Sequence, residues 1–149
     1  MSLSRDPAVV LRGYLTAGDR AAFDEFDRWL HPNVVVHSPG GITSKGVDAQ
    51  REAWAAGHAG LGGLHHDIQE LVVADDAVAA RVVASGTHEG SFLGIAPTGN
   101  HVQVDQALFA RLQDGQIIEL WEVVDTGSGM QQLGRLVGQA LSFGPQDSP

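Results

Sequence analysis

The sequence contains no cysteine and only one lysine, Lys45. The absence of cysteine excludes disulfide bonds, thiolate nucleophiles and metal sites built on thiolates. Nine Lys and Arg residues stand against eighteen Asp and Glu residues, which gives a net charge of −9. Nucleic acids and anionic membranes also carry negative charge, so a chain of this charge is repelled by both. Neither is expected as a partner.

Long hydrophobic runs and phosphate-binding loops are also missing. No apolar run approaches the ~20 residues that a membrane span requires, and no G-x-x-x-x-G-K-[ST] loop is present to hold phosphates. The opening MSLSRDP has neither the basic start nor the apolar stretch of a secretory signal, so a cytoplasmic location is the default expectation. A length of 149 residues suits one domain, assigned to residues 1–149.

The residues that are present alternate between helical and extended patterns. Apolar spacing and capping residues predict helices over 7–17, 19–30, 46–58 and 127–141, with Asp6 and Asp19 as N-caps of the first two. Strands are predicted over 34–38, 64–73 and 77–89, with a tight turn at Asp75-Asp76. This order indicates an α+β fold, in which a curved antiparallel sheet forms a cone with helices packed on its concave face.

Two further strands lie between His101 and Asp125, joined around Gln113-Asp114-Gly115. A three-residue loop ending in glycine pairs Gln106 with Glu122. Because side chains alternate faces along a strand, one face then carries Ile118 and is apolar except for Gln106, Glu122 and Gln116. A two-residue turn at Asp114-Gly115 would set Glu122 opposite Ala107, so hydrophobic sorting favours the longer loop.

Polar side chains on apolar faces are the candidates for catalysis. An unpaired buried charge costs several kcal/mol, so Glu122 is the leading catalytic candidate; its alternative is a carboxylate neutralised by an internal partner or reaching solvent. Gln106 either satisfies Glu122 or positions a substrate carbonyl. His88 is the one polar residue on the inner face of strand 77–89, and it is either a second catalytic group or a hydrogen-bonded histidine at a strand end. His37 is a weaker substrate-binding candidate.

Apolar residues complete the predicted binding site. Residues 90–100 form an apolar loop, and its Phe92, Leu93 and Ile95 are expected to cover a pocket mouth as a lid. Leu108 and Leu120 lie on the same wall as Glu122 and are further substrate-binding candidates.

Three other features are assigned structural roles. His65 and His66 are adjacent in a strand and point to opposite faces, so no metal site is expected there. Trp121 lies on the mixed face with Phe109, which favours sheet packing or a dimer contact over ligand stacking. Asp125 is either a further acid beside the site or a cap of the last helix near Ser128.

Several segments resemble the SnoaL-like polyketide cyclases of the nuclear transport factor 2-like superfamily. They are His31-Pro32-Asn33, GTHEGSFLGIAPTG at 86–99, DGQIIELWEVVD at 114–125, and QQLG at 131–134. The resemblance implies a cone-shaped α+β domain around one pocket, often dimeric through its sheet surfaces. It also implies ring closure of a polyketide ester by intramolecular aldol condensation, with no metal or organic cofactor.

The resemblance also assigns residues. The family pattern is similar to His-Trp-Asp-x-x-Asp, and residues 120–125 read Leu-Trp-Glu-Val-Val-Asp. The catalytic Asp position is therefore Glu122 and the His position is Leu120, while the family's pocket Gln and glycine-flanked His fall on Gln106 and His88.

Together, the residues and the resemblance predict a homodimeric enzyme of polyketide or ester cyclase type that binds a small, apolar molecule bearing a carbonyl group. Fold does not fix function, so three alternatives remain. They are a non-catalytic binder of small hydrophobic ligands, an isomerase or hydrolase on the same fold, and a protein-interaction domain whose cavity is filled by side chains.

Overall fold

A computed structural model of the protein describes residues 5–134. Six strands form one curved, unclosed sheet in the order β2-β1-β6-β5-β4-β3. The strands are β1 (Leu30–Ser38), β2 (Ile42–Lys45), β3 (Leu61–Ala74), β4 (Ala77–His88), β5 (His101–Gln113) and β6 (Gln116–Val124). The predicted α+β fold is confirmed, although β1 and β6 run parallel and the sheet is therefore mixed.

Four α-helices accompany the sheet among these residues: α1 (Pro7–Asp19), α2 (Phe26–Trp29), α3 (Val47–Gly60) and α4 (Thr126–Gln132). Asp6 caps α1 as predicted, because its Oδ1 accepts a hydrogen bond from the Ala8 N–H at 2.9 Å. Asp125 caps α4 through the Ser128 N–H at 3.0 Å, which confirms one of its two predicted roles. The predicted continuation of the last helix over 135–141 lies outside the described residues.

The prediction of a helix over 19–30 is wrong. This segment contains only a 3₁₀ turn at Phe23–Glu25 and the single turn α2, and β1 already begins at Leu30. Ala21 has a left-handed backbone with φ of 55°, which interrupts any helix. Asp19 caps nothing, because both of its carboxylate oxygens bind His66 on β3.

The predicted register of the β5–β6 hairpin is also wrong. The chain turns in two residues, Asp114 and Gly115, both with positive φ (54° and 76°), as a type I′ turn requires. Ile118 is then an extra residue in β6, because Leu112 pairs with Ile117 while Arg111 pairs with Glu119.

Because of the bulge, the two-residue turn still leaves the apolar residues of β6 on the inner face of the sheet. Ile117, fully buried, replaces Ile118 and Gln116 on the inner face. Glu122 lies opposite Leu108, and Val124 lies opposite Gln106. Glu122 and Gln106 therefore remain on the predicted face, one pair apart rather than directly opposite.

The core lies between α1, α2 and the concave face of the sheet. Leu11 and Phe26 from the helices are fully buried, as are Val34 and Ile117 from the strands. Burying a side chain of this size contributes about 1.5–3 kcal/mol. No helix within residues 5–134 has the length and hydropathy to cross a membrane.

The convex face of the sheet carries an apolar patch on β5 and β6. Phe109 and Val123 are 49% and 59% exposed. Phe109 pairs with Trp121, and Ala107 pairs with Val123, so these four residues are contiguous. We call them the convex patch.

Candidate active site

A cavity of about 400 Å³ lies between the helices and the concave sheet. Small-molecule sites usually measure about 300–1,000 Å³, so this one suits a compact organic ligand. Most of its wall is apolar and comes from α3, β3 to β6, the loop after β4, and α4. The polar side chains on the wall are Gln50, His66, Ser85, Gln106, Glu122, Asp125 and Thr126.

Glu122 lies on the cavity wall, carried there by the inward face of β6. Burial raises the pKa of Glu122 above its ordinary value, while a hydrogen bond from Ser38 and the charge of His66 act in the opposite direction. The Ser38 hydroxyl donates to Oε1 at 3.2 Å. Glu122 is therefore a carboxyl group in dry surroundings whose protonation both a neighbour and a ligand can change.

A chain of hydrogen bonds crosses the helical side of the cavity. Trp54 Nε1–H donates to the Tyr14 hydroxyl at 2.8 Å, Tyr14 donates to Gln50 Oε1 at 3.2 Å, and Gln50 Nε2 donates to Ser44 at 2.9 Å. Burial first, and then the charge of Glu122, raise the pKa of Tyr14. Tyr14 is thus a neutral hydroxyl, and this chain fixes the position of the Trp54 ring at the cavity.

His66 is the second titratable side chain deep in the cavity. Its Nδ1 lies 2.6 Å from Asp19 Oδ1, and its backbone N–H donates to Asp19 Oδ2 at 2.7 Å. Both side chains are nearly buried, at 10% and 12% exposure. The Trp54 ring lies 5.0 Å from the imidazole ring. His66 is therefore held on two sides, and it lines the cavity.

Four of the residues predicted from sequence meet at this cavity. Glu122, Gln106, Phe92 and Leu93 all line it. Phe92 and Ile95 exchange backbone hydrogen bonds across a tight turn at Leu93-Gly94, at 3.1 and 2.9 Å. Among the described residues Gln106 makes no hydrogen bond to Glu122. The side chain that donates a hydrogen bond to Glu122 is Ser38.

His37 and His88 are not on the cavity wall. His37 lies on the convex side, 2.7 Å from Glu119 and stacked on Trp121. His88 is fully buried, and its Nδ1 accepts a hydrogen bond from the Thr98 N–H at 3.2 Å. His88 thus fixes the loop between β4 and β5, and its Nε2 has no partner within residues 5–134.

The other predicted binding residues lie beside the cavity. Leu108 and Leu120 are 2% and 1% exposed and belong to the main core. Ile95 packs in a small cluster with Val102 and Leu133. Across residues 5–134, no group of three His, Asp or Glu side chains is arranged to hold a metal ion.

Sequence reasoning missed the pairing of His66 with Asp19. The available signal was alternation along β3, where Leu64, His66 and Ile68 share a face that is otherwise apolar. The same signal identified Glu122 and His88. At His66 alternation alone shows an inward imidazole but not its partner, because Asp19 also has the residue type and position of a helix cap.

Comparison with known proteins agrees with the fold. The family profile described as SnoaL-like polyketide cyclase matches residues 8–133. No curated protein sequence matches the chain at a significant level.

Solved structures give close matches over most of the chain. IdmH from Streptomyces antibioticus, assigned as a polyketide cyclase, has a TM-score of 0.79 and 27% identity, covering 87% of this chain and 99% of its own. TsrD from Streptomyces laurentii has a TM-score of 0.78 and 26% identity, covering 89% and 98%. A protein from Jannaschia sp. CCS1, assigned as a SnoaL-like polyketide cyclase, has a TM-score of 0.79, 21% identity, and coverage of 88% and 96%, and it supports the fold.

The profile match spans nearly all of the described residues, and the three structural matches cover 87–89% of this chain. This chain therefore belongs to the SnoaL-like polyketide cyclase family.

Proposed function

We propose that the protein is an acid–base enzyme of the polyketide or ester cyclase type, acting on a small, largely apolar molecule that carries a carbonyl group. The observation that carries the proposal is the position of Glu122, a carboxyl group with a raised pKa on the wall of a mostly apolar cavity of about 400 Å³. Buried groups with perturbed pKa values are enriched at catalytic sites.

Glu122 is the proton-transfer group of this proposal. A carbonyl group makes the hydrogens on the neighbouring carbon weakly acidic, and a carboxylate in dry surroundings is a stronger base than one in water. Glu122 takes the α-proton, the resulting enolate attacks a second carbonyl carbon of the same molecule, and a proton is returned to the new alkoxide. Side chains alone provide this chemistry.

The remaining wall serves binding and orientation. Trp54 and Phe92 offer aromatic faces for an apolar ring system, and the amide of Gln106 is available to a substrate oxygen. Leu93 is 65% exposed although it lines the cavity, so the turn that carries it borders the entrance. We assign Phe92 and Leu93 to a lid over the bound molecule.

The test uses 2-tetralone, a bicyclic apolar ketone, as a probe substrate. Exchange of its α-protons in D₂O is followed by proton NMR, and its affinity is measured separately through the change in tryptophan fluorescence, to which Trp54 on the cavity wall contributes. Wild-type protein is expected to accelerate the exchange above the buffer rate. Glu122→Gln is expected to lose about 10²- to 10⁴-fold of that acceleration, the usual contribution of a positioned proton-transfer group, with little change in affinity.

A matched control replaces a carboxylate outside the cavity. Glu119→Gln, on the convex side next to His37, is expected to retain the full exchange rate. Exchange that is no faster than in buffer, or that is equally fast in Glu122→Gln, contradicts the proposed function.

A non-catalytic binder of hydrophobic molecules is the second candidate, supported by the small number of polar groups on the wall. It predicts affinity for 2-tetralone without proton exchange, so the two measurements above separate it from the enzyme.

We further propose that the protein is a homodimer joined through the convex patch. Phe109, Trp121 and Val123 present a contiguous apolar surface on the side of the sheet away from the cavity. Contiguous exposed apolar patches of this kind are typical of interfaces between proteins.

A further inference from the structure

The hydrogen bonds around His66 determine which of its nitrogens is left to bond a ligand. Asp19 uses one carboxylate oxygen for the backbone N–H and the other for Nδ1, at 2.7 and 2.6 Å. A carboxylate only accepts hydrogen bonds, so Nδ1 carries a proton in both the neutral and the charged ring. Nε2 is therefore the nitrogen that gains or loses a proton.

Nε2 is open to a ligand. No hydrogen-bond partner of Nε2 occurs within the described residues, and it is not among their fully buried unpartnered atoms. The ring itself lines the cavity. The Trp54 ring, 5.0 Å away, limits its movement on the side of α3. His66 thus has one nitrogen fixed by the protein and the other without a protein partner among the described residues, on a ring that lines the cavity.

His66 and Glu122 act on the same cavity from separate strands. Strands β4 and β5 lie between β3 and β6, which separates those two strands by about 14 Å at about 4.8 Å per strand. His66 is level with Val104 of β5 through Ala84, whereas Glu122 is level with Leu108, so the two residues are also offset by four positions along the strands. The curvature of the sheet shortens the direct path, and both side chains line the cavity. Their charges interact, since His66 opposes the upward pKa shift of Glu122. A molecule that fills the cavity can touch both.

We infer that His66, positioned by Asp19, is a second catalytic residue that donates a proton from Nε2 to an oxygen atom of the substrate. This inference rests on the proposed function and specifies its substrate class: a molecule with two carbonyl groups, one beside the carbon that Glu122 deprotonates and one that becomes a hydroxyl group.

The proton transfers balance as follows. The Glu122 carboxylate takes the α-proton, and the electron pair of that C–H bond forms the new bond to the second carbonyl carbon. The Nε2–H proton of His66 moves to the oxygen of that carbonyl, which becomes a hydroxyl group. Glu122 is then protonated and His66 is neutral, and exchange with water restores both. Asp19 is a positioning residue because it acts only through His66.

The charged groups near His66 come from four elements. Asp19 at the end of α1 contacts it directly, and His65 on β3 places its own Nδ1 3.5 Å from Asp19 Oδ2. Glu122 on β6 faces it across the cavity, and Asp125 lines the same wall just before α4. From α3 the neutral Trp54 ring covers it. Three carboxylates and one exposed histidine therefore set the electrostatic environment of His66.

The test measures hydrogen bonding to a ketone oxygen and does not depend on turnover. 2-Tetralone labelled with ¹³C at its carbonyl is bound to the protein, and the carbonyl resonance is recorded as a function of pH. Imidazole ¹⁵N resonances, assigned through the variants, report the titration of His66 in the same samples. In the wild type the bound carbonyl is expected to shift downfield at low pH and to lose that shift as His66 loses its proton.

Variants identify the donor. In His66→Gln the amide can still bond Asp19, but it carries no charge, so the pH-dependent downfield shift is expected to vanish. In Asp19→Asn the imidazole ring loses its fixed tautomer, so a partial loss of the pH-dependent downfield shift is expected. His101→Gln replaces an exposed histidine at the start of β5, away from the cavity wall, and is the matched control, expected to behave as the wild type. Circular dichroism verifies folding. If His66→Gln does not fold, the ¹⁵N titration of the wild type and the Asp19→Asn variant still show whether the carbonyl shift follows the protonation of His66.

The outcomes separate this inference from the proposed function. A carbonyl titration that persists unchanged in His66→Gln overturns the role of His66, even if Glu122→Gln abolishes proton exchange. A carbonyl shift that depends on His66 in a protein that never accelerates exchange supports the His66 contact and contradicts the proposed function. A protein that does not bind the ketone contradicts both.

Discussion

Replacing Tyr14 by Phe tests the hydrogen-bond chain that positions Trp54. The hydroxyl is buried, with Tyr14 only 2% exposed, and it joins Trp54 Nε1 at 2.8 Å to Gln50 Oε1 at 3.2 Å. Its removal leaves one donor and one acceptor without partners. Each buried polar group without a hydrogen-bond partner lowers the free energy of unfolding by about 1–3 kcal/mol. Trp54 and Gln50 border the cavity, however, where water reaches part of their surface. The lower half of the range, about 1–2 kcal/mol for each group, therefore applies, and a total loss of about 2–4 kcal/mol is expected.

Urea unfolding followed by tryptophan fluorescence measures this loss. An unfolding slope of about 2 kcal/mol per molar urea, the middle of the usual range of about 1–3, converts it into a midpoint shift of about 1–2 M, with the slope itself unchanged. Trp54→Phe removes the donor of the same hydrogen bond. The double variant is therefore expected to lose about 1 kcal/mol less than the sum of the two single variants.

Two results would refute this account. A Tyr14→Phe variant within about 0.5 kcal/mol of the wild type, a range usual for surface substitutions, would mean that water replaces the hydroxyl fully. Strict additivity in the cycle would mean that Tyr14 and Trp54 do not share the bond.

Three other predictions concern the site and the surface. Burial raises the pKa of Glu122, so its favourable contribution to stability exists below its unfolded pKa and is lost as pH rises through the folded value. Glu122→Gln is therefore expected to gain stability relative to the wild type near pH 7 but not near pH 4, in urea unfolding. Gly18→Ala places a Cβ 2.5 Å from the Trp54 ring; despite better helix propensity, a loss of about 1–3 kcal/mol and weaker 2-tetralone binding are expected. Val123→Asp puts a charge on the convex patch and is expected to give monomers in sedimentation velocity.

Each of these has a control and a contrary result. For Glu122, an equal stability change at both pH values contradicts the sign derived above. For Gly18, the control is Gly57→Ala in α3, whose Cβ would meet only a flexible Leu64 side chain at 3.3 Å. Equal losses of stability in the two variants would contradict a specific clash between the methyl group added at position 18 and the Trp54 ring. For Val123, the control is Val72→Asp on edge strand β3, 64% exposed, and a monomeric wild type rules out the proposed dimer.

Alternation of apolar and polar residues predicted much of the sheet and its faces. Strand β4 has the predicted inner face from Val78 to His88, and the Asp75-Asp76 turn connects it to β3 as predicted. Alternation is a local property of extended chain, so the sequence alone reveals it. The predicted inward position of Glu122 followed from the same rule.

Features that depend on distant contacts were not predictable in this way. Asp19 has the residue type and the position of a helix cap, but its partner is His66, 47 residues later in the chain. Strand β2 has only four residues, mostly polar, and is stabilised by pairing with β1. The parallel contact between β1 and β6 likewise joins segments that no local pattern connects.

The extra residue in β6 has a consequence for comparing members of this family. Ile118 shifts every later residue of the strand by one place, so a relative with a regular ladder across the same two-residue turn would carry Glu122 opposite Ala107, on the convex side. Such a protein would keep the whole Leu-Trp-Glu-Val-Val-Asp sequence and lose its acid. The bulge, and not the motif alone, thus decides which relatives retain a carboxylate inside the cone.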